Sequence, residues 1–310
     1  MAREQLGICA EANLHGDYLL LNALDGQEAL LRQQLAQIPA LVSQLADHFS
    51  EALLTGVVAI GANYWDSLYP QARPAGLLPF PALESSELLM PADSFDLLLQ
   101  IRSDRQDVNY LVAQQIYQML LPAVELVEHM RGFRYLDGRD LTGFLDAPEA
   151  VRGRKRRELA LLTAEQEPHF SGGSYLHLQR FRHDIKRWQR LAVSAQQAII
   201  GRHKSDGQWL PLAQLEPDCH SLCFYQDKDR QQPLPLLTQN MPFADLKQQG
   251  LLWLSYSADS TAFETLMRQR LGLAELASDS YDRLLDYSQA DLGAAFFAPS
   301  VSFLEQFEHG

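Results

Sequence analysis

The sequence predicts an α+β fold built from two similar halves, each a ferredoxin-like unit with an antiparallel sheet and covering helices. Its 310 residues are 46% hydrophobic and 21% charged, which is typical of a globular protein with a sizeable core. Strand and helix patterns follow one another in the first half in the order of a split β-α-β unit, and a similar order returns in the second half. We therefore expect two antiparallel sheets, one in residues 1–150 and one in residues 151–310.

In the first half, short apolar or alternating runs predict strands at residues 17–22, 55–62 and 95–101. Apolar residues at helical spacing predict helices at residues 30–45 and 108–120. Pro39 is expected to kink or split the first of these helices. A proline-rich loop at residues 70–91 and an extended stretch at 133–136 complete the predicted half.

In the second half, the same patterns predict strands at residues 175–181 and 250–256. Helices are predicted at residues 184–191, 194–200 and 261–271. Ser194 and Thr261 each precede a Gln or Glu by three residues, which predicts a capping box at both helix starts. Gly201 suits the end of the middle helix.

The charge balance argues against general nucleic-acid binding. Lys plus Arg number 26 and Asp plus Glu 39, a formal net charge of −13, whereas duplex affinity depends on cations that neutralise phosphates. The basic run at residues 152–157 is predicted to be a solvated loop or helix start, with an anion-binding patch as the alternative. Three cysteines are too few for a disulfide framework and favour a reducing compartment. No apolar signal core or membrane-length run is present, so we expect a cytoplasmic protein.

Four short motifs carry the functional prediction. They are residues 141–146 (L-T-G-F-L-D), 218–220 (D-C-H), 240–243 (N-M-P-F) and 296–300 (F-F-A-P-S). Together they resemble the dye-decolorising peroxidase family, in its bacterial cytoplasmic branch, and the resemblance runs over nearly the whole chain. It implies a duplicated ferredoxin-like fold with one haem b per chain, held mainly by the second half.

The resemblance implies that His220 is the iron ligand, because the family places its proximal histidine in a D-S-H-like segment at this point. A neutral imidazole is a common haem ligand. His183 is the runner-up, although a helix cap or surface position suits it better, and His177 is read as structural. The acceptor for the other ring nitrogen of His220 is either Asp282 or Asp286.

Above the iron, the resemblance places Asp146 and Asn240 as catalytic residues. A distal carboxylate can take a proton from hydrogen peroxide and return it to the leaving oxygen; the alternative for Asp146 is an aspartate that caps a turn. Two departures from the family weaken this site. Ala147 replaces a glycine after the aspartate, and Thr238 stands where the family has an arginine that stabilises developing charge.

Arg202 matches a family segment near a haem propionate, and a guanidinium suits that carboxylate. Its alternative is an exposed arginine at a helix end. The resemblance further implies hydrogen peroxide and a small aromatic reductant as substrates, a homodimer or larger homo-oligomer, and no nucleic-acid or membrane partner.

Three functions follow as hypotheses. The first is a haem peroxidase with reduced activity; the second is a non-catalytic carrier or sensor that binds haem or a similar tetrapyrrole; the third is a haem-free structural relative. His220 favours the first two over the third. Thr238 and Ala147 favour the second over an efficient enzyme.

Overall fold

Two copies of one strand–helix arrangement make up the described chain. The computed structural model describes residues 2–83, 88–146, 149, 151–226, 230–274 and 281–308. The strands are β1 (His15–Ala23), β2 (Thr55–Gly61), β3 (Leu97–Ser103), β4 (Val124–Phe133), β5 (Ser174–His183), β6 (Leu237–Thr238), β7 (Met241–Ala244), β8 (Gln249–Ser257) and β9 (Ser288–Ala298). The α-helices are α1 (Glu28–His48), α2 (Trp65–Leu68), α3 (Gln106–Leu120), α4 (Arg154–Ala160), α5 (Ile185–Trp188), α6 (Val193–Ile200), α7 (Ala262–Arg270) and α8 (Val301–Leu304).

Each half has the strand order of a ferredoxin-like unit. In the first half the spatial order is β4-β1-β3-β2, and in the second it is β9-β5-β8-β6, with β7 also paired to β8. Every pairing is antiparallel. Helix α1 connects β1 to β2, and α3 connects β3 to β4; in each case one other strand lies between the connected pair in the sheet, as in a split β-α-β unit. The predicted α+β, duplicated ferredoxin-like fold is therefore confirmed.

The two predicted sheets are joined rather than separate. Ile60 pairs with Phe297 and Gly61 with Phe296, so that β2 and β9 link the nine described strands in one hydrogen-bonded order. This short junction places the last strand of the chain beside the first half. The division at residue 150 stays a prediction.

Most predicted elements form, and the exceptions have local causes. Helix α1 runs through Pro39 without interruption, so the predicted split is wrong. The strand after α3 is β4, which ends where the predicted stretch at 133–136 begins. Its sequence signal is weak because β4 lies at the end of the strand order, where most of its residues are only partly covered and several are polar.

Neither predicted capping box forms. Helix α6 begins after Ala192, and the Thr261 side chain makes no capping hydrogen bond at α7. Gly201 does end α6, with φ +86°, as predicted. The predicted basic helix start corresponds to α4, yet Arg156 is buried rather than solvated and donates to the carbonyls of Cys9 and Ala10.

Side-chain alternation divides the core between the two faces of the sheet. Along β5, Tyr175 and Phe181 pack with the helices, whereas Leu176 and Leu178 pack on the opposite face with the strands of the first half. The same alternation continues through β6: Leu237 and Gln239 face the interior between the two halves. No helix in the described part of the chain combines the length and apolar character needed to cross a membrane.

An aromatic cluster around Trp65 ties α2 to the C-terminal elements. Trp65 is fully buried. Its ring lies 5.4 Å from that of Phe297 on β9 and 5.8 Å from that of Phe303 on α8, measured between centroids. Its indole N–H donates to the Ala72 carbonyl at 2.8 Å.

We predict that Trp65→Ala lowers the free energy of unfolding by about 3–5 kcal/mol, because it leaves a large cavity and an unpaired carbonyl between the halves. Urea denaturation followed by circular dichroism measures the change. Tyr110→Ala is the control, since Tyr110 is exposed on α3, and its effect should stay within about 0.5 kcal/mol. Equal effects of the two substitutions would contradict the assignment of Trp65 to the junction.

Candidate active site

His220 opens a short 3-10 helix, His220–Phe224, and its ring is held by one carboxylate. Nδ1 lies 2.8 Å from Oδ2 of Asp282, and the His220 side chain is 22% exposed. Among the described residues, Nε2 of His220 has no hydrogen-bond partner. An imidazole oriented through Nδ1 by a carboxylate, with Nε2 available, is the usual form of a metal-ligating histidine.

The Asp282 side chain is fully buried and accepts several hydrogen bonds. Arg270 on α7 donates to Oδ2 at 2.8 Å, and the Leu284 amide donates to Oδ1 at 3.0 Å. Burial opposes ionisation, but the charges and hydrogen bonds of His220 and Arg270 outweigh it and hold the pKa of Asp282 well below its usual range. Asp282 therefore carries a negative charge beside His220 at neutral pH.

Of the two predicted partners for His220, the structure selects Asp282. Asp286 instead accepts a hydrogen bond from the Tyr281 hydroxyl at 2.8 Å. Arg270 was not predicted, because no local motif marks it and only folding brings α7 to Asp282.

The structure also brings together Asp146 and Asn240, which the sequence separates by 94 positions. The Asn240 amide donates from Nδ2 to Oδ1 of Asp146 at 2.9 Å, while its own Oδ1 accepts from the Leu254 amide at 3.1 Å. The bond to β8 fixes the orientation of the Asn240 amide. The predicted pair therefore forms one hydrogen-bonded unit.

The protein environment makes Asp146 a weaker acid than usual. Burial raises its pKa to about 6, the nearby charge of Asp140 adds to the increase, and the hydrogen bond from Asn240 opposes it. At neutral pH such a group is mostly ionised, so that it can accept a proton, and its acid is strong enough to release that proton again. The alternative of a simple turn-capping aspartate does not account for the bond to Asn240. Ala147 lies outside the described residues.

Thr238 and Asn240 lie on the same side of the chain, and Gln239 lies on the other. Thr238 pairs with Ser255 of β8. The Gln239 side chain enters the interior between the halves, where its Oε1 accepts from Arg102 at 2.6 Å. Gln239 and the Arg102 guanidinium are therefore bonded to each other in this interior.

Arg202 is buried, so the alternative of an exposed helix-terminal arginine is wrong. Its Nη atoms donate to Glu149 at 3.1 Å, its Nε donates to the Ser221 hydroxyl at 3.1 Å, and its guanidinium stacks on Trp209 at 3.9 Å. Glu149 also accepts a hydrogen bond from the Tyr225 hydroxyl. The contact with Ser221 places Arg202 beside the segment that carries His220.

The two other candidate histidines have structural partners. The His183 side chain is only 3% exposed, contrary to the predicted surface or capping position, and its Nε2 lies 3.0 Å from Oδ1 of Asp140. His177 stacks on Phe263 with a centroid distance of 3.9 Å, and burial lowers its pKa to about 3. His177 is therefore neutral, consistent with its structural reading.

We predict that Asp146→Asn stabilises the haem-free protein at neutral pH. The raised pKa of Asp146 means that ionisation disfavours the folded state. The variant should gain on the order of 1–3 kcal/mol above pH about 6. The gain should shrink to roughly half a kcal/mol at pH about 4, where the wild-type group is protonated in the folded state and about half protonated in the unfolded state. Urea unfolding at both pH values measures it. Asp25→Asn, at an exposed turn, should give no such pH-dependent difference; a pH-independent effect of Asp146→Asn would refute the raised pKa.

Family models match both halves of this chain. A model of the N-terminal domain of Dyp-type peroxidases matches residues 5–134, and a model of their C-terminal domain matches residues 137–303. A curated relative, the dye-decolorizing peroxidase of Mycolicibacterium paratuberculosis, is 33% identical over 290 residues, which cover 93% of this chain and 81% of the relative.

Solved structures agree with these matches. A putative Dyp-type peroxidase from Shewanella oneidensis is 42% identical with a TM-score of 0.94, and the match covers 99% of both chains. A DypB variant from Rhodococcus jostii, solved in complex with haem, is 30% identical with a TM-score of 0.89 over 96% of this chain and 97% of that one. Sequence and structure thus agree over nearly the whole chain, and the protein belongs to the Dyp-type peroxidase family.

Proposed function

We propose that the chain is a haem peroxidase in which His220 binds the iron, Asp146 transfers the proton and the replacement of an arginine by Thr238 reduces turnover. Hydrogen peroxide is the proposed oxidant, and a small aromatic molecule is the proposed reductant. The observation that carries the proposal is the His220–Asp282 contact, which leaves Nε2 of His220 available as a ligand. A haem-bound relative with the same fold supports it.

The residues around His220 fit an iron ligand. Because Asp282 stays ionised and accepts from the ring, it raises the basicity of Nε2 and fixes the direction in which it points. Phe224 lies edge-on to the ring with centroids 5.1 Å apart, which restricts its rotation. When bound, haem supplies the redox chemistry and the protein supplies the ligand, the orientation and the acid–base group.

Asp146 is proposed to accept the first proton of hydrogen peroxide and to return it to the departing oxygen. Its pKa of about 6 lies near neutral pH, where both steps are feasible. Asn240 holds one carboxylate oxygen through its amide. The second oxygen has no hydrogen-bond partner within the described chain and is the atom we assign to the proton transfer.

Thr238 explains why we expect slow turnover. An arginine at this position would donate a charge-assisted hydrogen bond to the negative charge that develops as the O–O bond breaks. Loss of one such preorganised donor costs roughly 3–4 kcal/mol in other enzymes. Asn240 supplies only a neutral donor, and it is already bonded to Asp146.

Arg202 is proposed to contact a haem carboxylate. Its guanidinium is close to the His220 segment through Ser221, but Glu149 already accepts from both Nη atoms. A haem carboxylate at Arg202 would therefore have to share that guanidinium with Glu149 or displace it.

A carrier or sensor of haem or a similar tetrapyrrole is the second candidate. Thr238 favours it, because loss of the arginine affects peroxide cleavage and leaves the His220 side unchanged. A cytoplasmic location and a homo-oligomer are also proposed. All three cysteines are free thiols, as a reducing compartment would keep them.

We predict that His220→Ala abolishes the Soret band obtained when the purified protein is reconstituted with haem, because the iron loses its imidazole ligand. Absorption spectroscopy at matched protein concentration measures the band. His48→Ala is the control, as His48 is exposed at the end of α1, and its spectrum should equal that of the wild type. An unchanged spectrum of His220→Ala would refute the ligand assignment.

We predict that Thr238→Arg raises peroxide-dependent dye turnover by roughly tenfold or more at equal haem occupancy, a cautious fraction of what one charged donor contributes. Thr163→Arg adds the same charge at an exposed site and should not change turnover. Ala147→Gly is expected to add to the gain, although the two effects need not be additive.

Wild-type turnover at the level of an efficient peroxidase would refute the weakened site. No gain in any variant that retains haem would favour the carrier or sensor.

A further inference from the structure

Asp146 lies at the end of a tight hairpin, residues 138–146, whose backbone is closed by its own hydrogen bonds. The Asp140 amide donates to the Phe144 carbonyl at 2.9 Å, and the Asp146 amide donates to the Gly138 carbonyl at 3.2 Å. Because these bonds connect the two arms, a shift at Asp140 moves the arm that carries Asp146. Contacts from the second half fix the position of the hairpin. Phe144 is buried against Trp188, whose indole N–H donates to the Thr142 carbonyl at 2.9 Å.

His183, the last residue of β5, makes such a contact. Its Nε2 lies 3.0 Å from Oδ1 of Asp140, and the Thr142 amide donates to Oδ2 of the same carboxylate at 3.2 Å. Both side chains are largely buried, 3% exposed for His183 and 12% for Asp140. Nδ1 of His183 is buried without a partner in the described chain. The contact with Asp140 is therefore the one polar contact that accounts for a buried histidine at this position.

The negative charge of Asp140 affects the pKa of Asp146. Burial opposes ionisation of Asp140, but the charge and hydrogen bond of His183 outweigh it, and the pKa of Asp140 is lowered to about 2. The resulting anion is one of the causes that raise the pKa of Asp146.

The cationic groups on and beside the hairpin donate to atoms other than the Asp140 and Asp146 carboxylates. Arg139 donates to the carbonyls of Gly143 and Ser205 and to the carboxylate of Asp137. The Lys204 ammonium donates to Gln196 at 2.7 Å. Asn240, which faces Asp146 from the second half, is neutral. Asp140 thus links β5 to Asp146: it is bonded to His183 of β5, and its charge raises the pKa of Asp146.

We propose that His183 is a positioning residue for Asp146: by holding the Asp140 carboxylate, it fixes the hairpin and keeps a second negative charge beside the group that transfers the proton. His183 itself does not touch the reacting atoms. The inference rests on the proposed function of Asp146, and it gives a role to a histidine for which the sequence predicted a helix-cap or surface position, with iron ligation as the alternative.

The first experiment does not require activity. Carboxyl carbons of aspartate are followed by NMR in the haem-free protein between about pH 4 and 8, and the Asp146 resonance is identified by its loss in Asp146→Asn. In Asp140→Asn the midpoint of Asp146 should fall by roughly half a pH unit or more, because a neighbouring negative charge is gone. Asp137→Asn is the matched control, one residue before the hairpin and with an exposed side chain, and should leave the midpoint in place. An unmoved midpoint in Asp140→Asn overturns the proposal.

The second experiment measures turnover of the haem-loaded protein against pH. His183→Leu should lower kcat roughly tenfold or more, since small displacements of a catalytic group are costly, with KM for the aromatic reductant unchanged. His183→Gln should restore most of kcat, because its side-chain amide can donate to Asp140 from the place of Nε2. In Asp140→Asn the acid limb of the profile should move to lower pH.

Equal kcat values for His183→Leu and the wild type, or for His183→Leu and His183→Gln, overturn the positioning role. Absence of turnover in the wild type would refute the proposed function instead, and the NMR titration would still decide the link between Asp140 and Asp146.

Discussion

The ionised carboxylate of Asp282, buried in the second half, is the constraint on which the arrangement around it depends. A buried charge costs several kcal/mol unless partners and hydrogen bonds compensate it. His220, Arg270 and the Leu284 amide supply that compensation. They belong to the 3-10 helix at 220–224, to α7 and to the 3-10 helix Arg283–Asp286 before β9. The hydrogen bonds to this one carboxylate therefore hold three segments close together. The same contact orients His220 and leaves its Nε2, the proposed iron ligand, without a hydrogen-bond partner among the described residues.

On the other side of the site, the geometry depends on contacts between the halves. Asp146 belongs to a hairpin that precedes the strands of the second half. Asn240, which donates a hydrogen bond to Asp146, is itself bonded to β8. Glu149, three residues after Asp146, is held by Arg202 and Tyr225. Asp146, the proposed proton-transferring group, and His220, the proposed iron ligand, therefore keep their relative positions only while the hairpin stays docked on the second half. This makes the docking contacts as important to the proposed chemistry as the reacting groups.

Particular residues show how far sequence patterns reach. The strands β1, β2, β5 and β8 were predicted because their apolar runs or alternation are strong. His220, Asp146 and Asn240 were proposed as site residues because their short motifs resemble those of a known family, and the structure brings Asp146 and Asn240 into a hydrogen bond. Arg270 was missed, since nothing near it in the sequence marks it. The surface or capping position expected for His183 was wrong, because a histidine at a strand end is buried or exposed according to what packs on it, here the hairpin with Asp140.

The sequence by itself determined the fold class and the presence of two similar halves, since periodicity is a local property of the chain. Its resemblance to a known family supplied the proposed site residues. The sequence also determined that Thr238 carries no charge. Only the tertiary structure decided that Asp282 is the carboxylate bonded to His220 and that the Gln239 side chain is bonded to Arg102. It also decided that the Arg202 guanidinium donates to Glu149. These outcomes depend on sheet register and on the cost of burying polar groups without partners, and both are settled by contacts between residues far apart in the chain.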